Sequence, residues 1–440
     1  MKKIAFLSLG CAKNLVNTEQ MMSLCAEAGY DVTSDPLCAD VAIINTCGFI
    51  DSAKSEAIDH ILDLVSLKNE GQLGKIIVAG CLSQRYRDEI FSDIPEVDGL
   101  IGTGSYTAVV DAIRLVLSHQ KADIFHDIHH TDEEGDRILS TPSYSAYLKI
   151  AEGCNHSCAF CIIPKLRGKY RSRSLESLIK DATKLAQQGT KELIVIAQDT
   201  TRYGLDLKPA SSLAQLLTEL VKLDFHWIRL HYLYPEALTD ELIDVIASQK
   251  KILPYLDIPI QHANNELLAS MKRNSTKEGI IALFDKLRAK IPNLVLRTSL
   301  ICGLPGESKE AFEELCDFLW DQKIQRAGVF AYSREEGTLA AEMEDQVDDH
   351  VAAHRVELLV DLQSRIMDEF YDSLLGQTME VLCEGFDEGA GCYVGRSYAD
   401  SPDIDGRVLF TASGTIPSGT FVNVLLTETS EGDLLGEIAE

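Results

Sequence analysis

Three closely spaced cysteines near the middle of the chain constrain its fold more than any other feature. Cys154, Cys158 and Cys161 form a C-x3-C-x2-C pattern, with Phe160 before the last cysteine, directly after an apolar β-rich run at 147–150. Thiolates are the preferred ligands of iron–sulfur clusters, and three of them can wrap one cubane and leave its fourth iron open. The alternative is structural zinc, which normally takes four protein ligands. The spacing therefore predicts a redox-active 4Fe-4S cluster.

The composition indicates a large cytoplasmic protein. The chain has 440 residues, of which 45% are hydrophobic, and this length suggests roughly three domains. We find no apolar run of about 18 residues, so we expect no membrane span. The apolar run at 4–9 is too short for a signal peptide. Twelve cysteines in such a protein indicate metal binding or thiol chemistry rather than disulfides.

The first third of the chain alternates strand and helix signals. Apolar β-rich runs lie at 4–9, 41–45, 75–79 and 97–101, and helical periodicity lies between them, for example at 52–67 and 107–117. This alternation predicts a flavodoxin-like open parallel sheet as an N-terminal domain over residues 1–118. Residues 119–143 are polar and are predicted to be a linker.

Two further domains follow the linker. Residues 144–372 repeat the alternation, which predicts a partial (β/α) TIM-like barrel; its strands are predicted at 147–150, 193–197, 227–230, 255–258, 294–300 and 328–331, with a closing helix at 351–374. Residues 373–440 change to short β-rich runs between turn residues, which predicts a small antiparallel β-barrel of the oligonucleotide-binding type; these runs lie at 378–383, 391–394, 407–411, 421–426 and 434–438.

A second set of cysteines is dispersed through the first domain. Cys11, Cys47 and Cys81 each lie within two residues of the end of a predicted strand. Ligands of open α/β sheets bind at the carboxyl ends of the strands, where the loops converge. We therefore expect these cysteines to meet and to hold a second cluster; the alternative is three independent buried cysteines.

The central triplet resembles the signature of the radical-SAM superfamily, whose core is a partial TIM-like barrel. The resemblance implies a cluster that donates one electron to S-adenosylmethionine (SAM), producing a 5′-deoxyadenosyl radical that abstracts hydrogen from an unactivated carbon. The segment 299–307, with Ser299 and Gly303, is similar to the Gly-rich strand that lines the adenosine pocket. Gln198 lies in a segment similar to the one that meets the methionine end of SAM.

The two triplets together resemble the methylthiotransferase family, over the whole chain. The resemblance implies an auxiliary 4Fe-4S cluster on Cys11, Cys47 and Cys81, and a C-terminal barrel called TRAM. It also implies two SAM molecules, one as methyl donor and one as radical source, with an external electron donor and a sulfur donor. The methylthio group is transferred to a carbon radical of the substrate.

Several segments are similar to the branch of that family that modifies a protein. They lie at 10–16, 155–156, 162–168 and 257–262, with Ala12 as a small departure where proline is common. The resemblance implies methylthiolation of the β-carbon of an aspartate in small-ribosomal-subunit protein twelve. Two alternatives remain open: a tRNA methylthiotransferase acting on a modified adenosine, and a non-catalytic iron–sulfur protein that binds the ribosome.

The charge of the chain favours a protein substrate over RNA. The whole sequence has 68 acidic and 41 basic residues, a net charge of −27. Residues 373–440 contain twelve Asp or Glu against two Arg, whereas an RNA-binding barrel offers a basic groove. We therefore expect the TRAM domain to contact a basic ribosomal protein, with RNA not the direct substrate. A solvated acidic face without a partner is the alternative.

No protein acid or base is assigned from the sequence, and catalytic residues are left unknown. His262 is interpreted as a structural histidine. The basic run of Arg167, Lys169, Arg171 and Arg173 has two interpretations: a patch that meets the SAM carboxylate or the substrate aspartate, and a solvated loop.

Overall fold

The first domain is an open sheet of six parallel strands with helices on both faces. The computed structural model describes residues 1–129 and 135–439. The sheet has the order β2-β1-β3-β4-β5-β6, and its strands are β1 (Lys3–Ser8), β2 (Asp31–Thr33), β3 (Val41–Thr46), β4 (Lys75–Gly80), β5 (Gly99–Ile101) and β6 (Ala122–Ile124). The helices are α1 (Ala12–Glu27), α2 (Asp51–Asn69), α3 (Cys81–Arg85), α4 (Arg87–Asp93) and α5 (Val109–Leu117), the last preceded by a 3₁₀ turn at Tyr106–Ala108.

Burial of both faces explains why this sheet is parallel and continuously apolar. Every residue of β3 is buried, as expected for a strand covered by helices on two sides. One face packs against α1 and α5, and the other packs against α2, α3 and α4. The predicted flavodoxin-like sheet is confirmed. The edge strands β2 and β6 were not predicted. Each has only three residues, which are too few for a strand pattern of apolar residues to be recognised in the sequence.

The predicted linker is only partly described. Its residues 122–124 form β6, which pairs with β5 and extends the first sheet beyond residue 118. Residues 130–134 of the linker lie outside the described part of the chain. The proposed domain boundaries are otherwise kept as predictions.

The middle domain is a partial barrel, as predicted. Six of its strands are parallel neighbours in the order β14-β13-β12-β11-β10-β7, and β8 pairs with β9; the strands are β7 (Ser145–Lys149), β8 (Ala151–Glu152), β9 (Arg171–Ser172), β10 (Glu192–Ile196), β11 (Trp227–Leu230), β12 (Ile252–Asp257), β13 (Val295–Cys302) and β14 (Arg326–Ala331). The helices are α6 (Ile163–Arg167), α7 (Leu175–Gln187), α8 (Leu213–Leu220), α9 (Asp240–Ser248), α10 (Asn265–Ser270), α11 (Lys277–Lys290), α12 (Lys309–Gln322) and α13 (Asp349–Leu374), with 3₁₀ turns at Pro235–Ala237 and Ala340–Glu342.

The first domain packs into the inner face of this barrel. Alternate residues of a strand point to opposite faces, and Leu193 and Val195 of β10 belong to the core shared with the outer helices. Ile194 and Ile196 instead contact Val16 of α1. The start of α1 therefore covers the inner wall of the barrel.

The last domain is a closed five-stranded barrel. Its order is β15-β16-β17-β19-β18, with β15 (Thr378–Asp387), β16 (Cys392–Ser397), β17 (Val408–Thr411), β18 (Phe421–Ser430) and β19 (Asp433–Ile438). All five predicted strands are present. The pairing is antiparallel except between β17 and β19, which are parallel, so the predicted small antiparallel barrel is confirmed with one parallel pair. A parallel pair lets the chain cross over and close the sheet.

Across the described residues, no helix combines the length and apolar character that a membrane span needs.

Buried charges join the last domain to the barrel. The Glu192 carboxylate of β10 accepts from Arg229 Nε of β11 and from Arg396 Nη2 of β16, both at 2.8 Å. Glu192 and Arg229 are fully buried. Burial would raise the pKa of Glu192, but Arg396 and Arg229 lower it to about 2. Glu192 is therefore ionised between two guanidinium groups at the domain junction.

We predict that Glu192→Gln destabilises the protein by about 3–5 kcal/mol, because it leaves two guanidinium groups buried without their carboxylate. The loss depends on pH. Since the folded-state pKa is about 2, below the ordinary value, the carboxylate contributes its full stability above about pH 4.5 and loses it as the pH falls towards 2. Chemical denaturation of both chains across this range measures the effect.

Glu219→Gln is the matched control, because Glu219 pairs with Lys222 at 2.6 Å on the surface with 41% of its side chain exposed. Such pairs contribute less than about 1 kcal/mol. An equal effect of the two substitutions, or a Glu192→Gln deficit that grows below pH 4, contradicts the assignment.

Candidate functional site

The central cysteines lie in a tight loop at the mouth of the barrel. The loop follows β8 and precedes α6, and it buries Cys154 and Cys158 while Cys161 is half-buried. The Cys154 amide donates to the Gly168 carbonyl at 3.1 Å, and the Ala159 amide donates to the Met271 carbonyl at 3.0 Å. Backbone hydrogen bonds to two distant segments therefore shape the loop.

Aromatic and basic side chains surround this loop. His156 stacks on Tyr234 at 3.9 Å with an angle of 3° between the rings, and its Nε2 lies 2.6 Å from Asp199 Oδ2. Arg273 lies near both Tyr234 and the loop. Its guanidinium is 4.5 Å from the centre of the Tyr234 ring, and its Nη1 is 3.9 Å from Cys158 Sγ. Arg273 therefore places positive charge beside one of the three thiols.

The electrostatics of these thiols suit a metal cluster. Burial, together with the neighbouring thiols of the triplet, raises the pKa of Cys154 to about 11 and that of Cys161 to about 12. Without a metal, these thiols hold their protons at neutral pH. A bound cation replaces the protons and removes the repulsion between thiolates.

The dispersed cysteines follow three adjacent strands, as predicted. Cys11 follows β1, Cys47 follows β3, and Cys81 is the first residue of α3 after β4. These strands are neighbours in the order β1-β3-β4, so the three loops meet at one edge of the sheet. A Cβ on Gly10, which has φ +85°, would lie 2.7 Å from the Cys47 Cβ, so only glycine permits this approach.

The three dispersed thiols also interact electrostatically. Burial raises the pKa of Cys47 to about 11, and the nearby thiols Cys81 and Cys11 raise it further. Burial opposes ionisation of Cys11 too, but Lys13 and Arg167 more than offset it and lower the pKa of Cys11. The cysteines therefore share one basic environment. A cavity of about 250 Å³ borders Cys11 and is lined by all three domains.

One arginine connects the two cysteine sites. Arg167 Nη2 donates to Cys81 Sγ at 3.4 Å and also to Asn14 Oδ1. Arg167 Nη1 donates to Glu152 Oε2 at 3.2 Å, and Glu152 lies two residues before Cys154. Arg167 thus links Cys81 to the segment that leads into the central cysteine loop.

Glu152 is held as a carboxylate at this junction. Burial would raise its pKa, but Arg167 and Lys149 lower the pKa to about 2. Lys149 Nζ donates to Glu152 Oε2 at 3.1 Å and also to Asn17 of α1. The Glu152 carboxylate is therefore neutralised by Arg167 and Lys149, and both of these side chains also contact α1 of the first domain.

The donor sets fit clusters better than single ions. Within residues 1–129 and 135–439, no three His, Cys, Asp or Glu side chains lie close enough to hold one metal ion. A single zinc ion holds all its sulfur ligands about 2.3 Å from one centre, so these ligands lie close together. The thiolates of a cubane bind different irons and therefore lie farther apart. Three thiols per site leave one corner of a cubane open. The six cysteines as cluster ligands remain a prediction.

The three residues predicted to contact SAM all lie in the barrel, and each has a different hydrogen-bond partner. Gln198 donates its amide to Glu152, and its buried Oε1 has no partner among the described residues. Ser299 lies within β13, where its carbonyl accepts from the Gln261 amide. The Gly303 amide donates to Glu307 at 2.7 Å. SAM binding by Gln198, Ser299 and Gly303 stays a prediction.

His262 is buried, in agreement with a structural role. Its Nδ1 accepts from the Asn264 amide at 2.9 Å, and burial lowers the pKa of His262 to about 4. The imidazole is therefore neutral near pH 7. Its Nε2 has no hydrogen-bond partner in the described part of the chain.

The basic run after the triplet is not a solvated patch. Arg167 and Arg173 are buried, Arg171 is half-buried, and only Lys169 is exposed. Neither the contact of Arg167 with both Cys81 and Glu152 nor its contact with Asn14 was predicted from the sequence. The only signal was that Arg167 and Asn14 lie in segments similar to the protein-modifying branch.

The chain matches three known families in the order of its domains. Residues 3–102 match the uncharacterized protein family UPF0004, residues 148–319 match the radical SAM superfamily, and residues 375–439 match the TRAM domain. These matches confirm the predicted barrel and TRAM domain. The fold and the site define a radical-SAM enzyme.

Full-length relatives identify the family. The chain is 46% identical to the ribosomal protein uS12 methylthiotransferase RimO of Clostridioides difficile, over 100% of this chain and 99% of the relative. It is 47% identical to the protein of the same name from Caldanaerobacter subterraneus, over 99% and 100%. The chain belongs to the RimO family of methylthiotransferases.

Solved structures support the fold alone. The radical S-adenosylmethionine methyltransferase TsrM from Kitasatospora setae has a TM-score of 0.57 at 12% identity, covering 75% of this chain and 73% of that chain. The cobalamin-dependent radical enzyme OxsB has a TM-score of 0.50 at 13% identity, covering 84% of this chain and 56% of that chain.

We predict that Gly153→Ala disrupts the cysteine loop. Gly153 has φ +81°, and an added Cβ would lie 2.3 Å from the Lys169 carbonyl oxygen. The backbone must shift, which moves Cys154 next to it. We expect less iron per chain after anaerobic reconstitution, together with a lower free energy of unfolding.

Gly189→Ala is the control for backbone strain. Gly189 has φ +94° with no atom within 4 Å of an added Cβ, so this substitution costs only the strain of a left-handed residue, about 1–2 kcal/mol. Equal iron content and equal stability of the two variants would falsify the proposed crowding.

Proposed function

We propose that this chain methylthiolates the β-carbon of an aspartate in ribosomal protein uS12. In this proposal, one SAM provides the methyl group and a second SAM provides the radical. The sulfur is carried on an auxiliary 4Fe-4S cluster at Cys11, Cys47 and Cys81, and the radical cluster is held by Cys154, Cys158 and Cys161. A ribosomal substrate also agrees with the predicted cytoplasmic location.

The bridge between the cysteine sites carries this proposal. Arg167 contacts Cys81 on one side and Glu152, two residues before Cys154, on the other, which supports a close approach of the two sites. A group that passes from the auxiliary site to a radical near the central site therefore has no long path to cross. The names of the full-length relatives support the same reaction and the same substrate.

Specific side chains prepare the site for this chemistry. The bound clusters and SAM supply electron transfer, the carbon radical and the transferable sulfur. Arg273 provides positive charge beside Cys158, and Arg167 does so beside Cys81. Gln198 has a buried acceptor free for a polar group of SAM. Ser299 and Gly303 are proposed to line the adenosine.

The TRAM barrel is proposed to meet the basic substrate protein. Some of its acidic residues are used internally, since Asp400 pairs with the buried Arg326 and Asp433 pairs with Arg407. The acidic residues that remain exposed point to solvent; they are Glu380, Asp387, Glu388, Asp403, Glu428, Glu431 and Glu437. This surface attracts a cationic protein and repels RNA phosphates. An external electron donor and a sulfur donor complete the reaction.

The two alternatives are less well supported. The relatives are named as modifying a ribosomal protein, and the barrel that could bind RNA has an acidic surface. A non-catalytic scaffold has no need for two converging sets of thiols with basic side chains beside them.

We predict two clusters per chain. Reconstitution with iron and sulfide should give about eight irons, four for each cubane. Replacing Cys154, Cys158 and Cys161 by alanine should leave about four, and so should replacing Cys11, Cys47 and Cys81, because the triplets bind separate clusters. Iron analysis and electron paramagnetic resonance measure both.

Cys38→Ser is the matched control, because Cys38 is an exposed free cysteine outside both triplets. It should keep all the iron. Full iron content after removal of Cys11, Cys47 and Cys81 shows that the auxiliary cluster does not exist at that place.

We predict that deletion of this protein abolishes methylthiolation of uS12 and leaves methylthiolated tRNA unchanged. Mass spectrometry of uS12 peptides and of tRNA digests from the same strain measures both products. Complementation with the full chain should restore the modified aspartate, and the variant without the central triplet should not. Intact modified uS12 together with lost tRNA modification overturns the proposal in favour of the RNA alternative.

A further inference from the structure

Lys13 is a buried ammonium two residues after Cys11, where the first domain meets the barrel. It lies in the first turn of α1 with 8% of its surface exposed. Its Nζ is 3.3 Å from the centre of the Tyr232 ring, which belongs to the barrel segment after β11. The side chain therefore crosses from the first domain into the mouth of the barrel.

This cation has no carboxylate partner in the part of the chain that the structure describes. No described carboxylate oxygen lies within 4.0 Å of the Lys13 Nζ. The other buried cations nearby are engaged, since Arg167 binds Glu152 and Arg297 binds Asp257 at 2.8 Å. Tyr232, Cys11 and Asp257 favour the charged form of Lys13, but no described carboxylate pairs with its Nζ directly. The position therefore suits a carboxylate that arrives from outside.

The aromatic ring beside Lys13 is held in an unusual backbone conformation. Tyr232 has φ +59°, which is rare for a bulky residue. Its amide donates to Asp257 Oδ2, and its carbonyl accepts from the Thr200 amide, both at 3.0 Å. Such strain persists where the surroundings demand one conformation, and it is frequent at ligand sites. Tyr232 forms a fixed wall for the ammonium.

We propose that Lys13 binds the side-chain carboxylate of the substrate aspartate, with the Tyr232 ring as the wall of that pocket. This inference rests on the proposed function, because it assumes that an aspartate enters between the cysteine sites. It assigns Lys13 as a residue that binds substrate and determines specificity.

The charge of the surroundings favours such a residue. In the proposed function, six thiolates that ligate two clusters bring negative charge to this space, and Arg167 and Arg273 are each already placed beside one of these thiols. One further cation inside the space offsets the repulsion between this charge and a carboxylate. Holding the carboxylate also restricts the adjacent β-carbon to one position, and such positioning makes a large contribution to rate. An asparagine, which is similar in shape but neutral, gains little from the ammonium.

Binding of uS12 to the reconstituted enzyme tests this role. The probes are recombinant unmodified uS12 and the same protein with the target aspartate replaced by asparagine, measured under anaerobic conditions. The unsubstituted enzyme should bind the aspartate form roughly ten-fold more tightly, as expected for one charge-assisted hydrogen bond. Lys13→Met should bind both forms equally, at the affinity of the asparagine form, and Lys13→Arg should keep part of the preference.

Lys309→Met is the matched control, because Lys309 is 79% exposed on α12; it should keep the ten-fold preference. Iron content and electron paramagnetic resonance accompany every variant. If Lys13→Met takes up less iron, its effect on binding cannot be separated from damage at Cys11, two residues away. Tyr232→Leu then tests the pocket instead, because Tyr232 is not adjacent in sequence to a cysteine. Loss of the preference in Tyr232→Leu with full iron supports the inference, and an unchanged preference overturns it.

The outcomes separate this inference from the proposed function. An unsubstituted enzyme that neither binds nor methylthiolates uS12 refutes the proposed function. An enzyme that methylthiolates uS12, while Lys13→Met with full iron retains the ten-fold preference for aspartate, refutes only the role of Lys13.

Discussion

The contact of Arg167 with both Cys81 and Glu152 is the interaction on which the arrangement of this protein depends. The guanidinium is buried, and it connects a loop of the first domain to the segment that carries the central cysteines. In the proposed function, each of the two sites concentrates groups that carry negative charge when metal binds. The cation that contacts both segments offsets the repulsion that such sites would have for each other.

Buried ion pairs also join the last domain to the barrel. Glu192 lies between Arg229 and Arg396, and Arg326 binds Asp400 at 2.6 Å. These pairs are directional, so they determine the orientation of the TRAM domain as well as its attachment. If a protein partner binds the exposed acidic residues of that domain, as proposed, the fixed orientation of the domain also sets the orientation of the partner relative to the barrel.

Much of the fold and part of the site could be predicted from sequence. The long strands have clear apolar patterns, and parallel strands end at the same edge of a sheet, so the meeting of Cys11, Cys47 and Cys81 could be expected. The role of Arg167 could not, because its partner Asn14 lies 153 residues away and is brought near only by domain packing. For the same reason the burial of Lys13 over Tyr232 has no local signal. Short strands such as β6 and the parallel pairing of β17 with β19 depend on neighbours that no local pattern reveals.

The packing of α1 into the barrel has a consequence for how this enzyme can be divided. Ile194 and Ile196 of β10 are covered by Val16 of the first domain, so a fragment that begins after residue 118 would present an apolar inner wall to water. Three recognisable modules in the sequence are therefore not three autonomous folding units. Exchanging the first domain between relatives therefore requires that the new domain match the barrel wall as well as carry its cysteines.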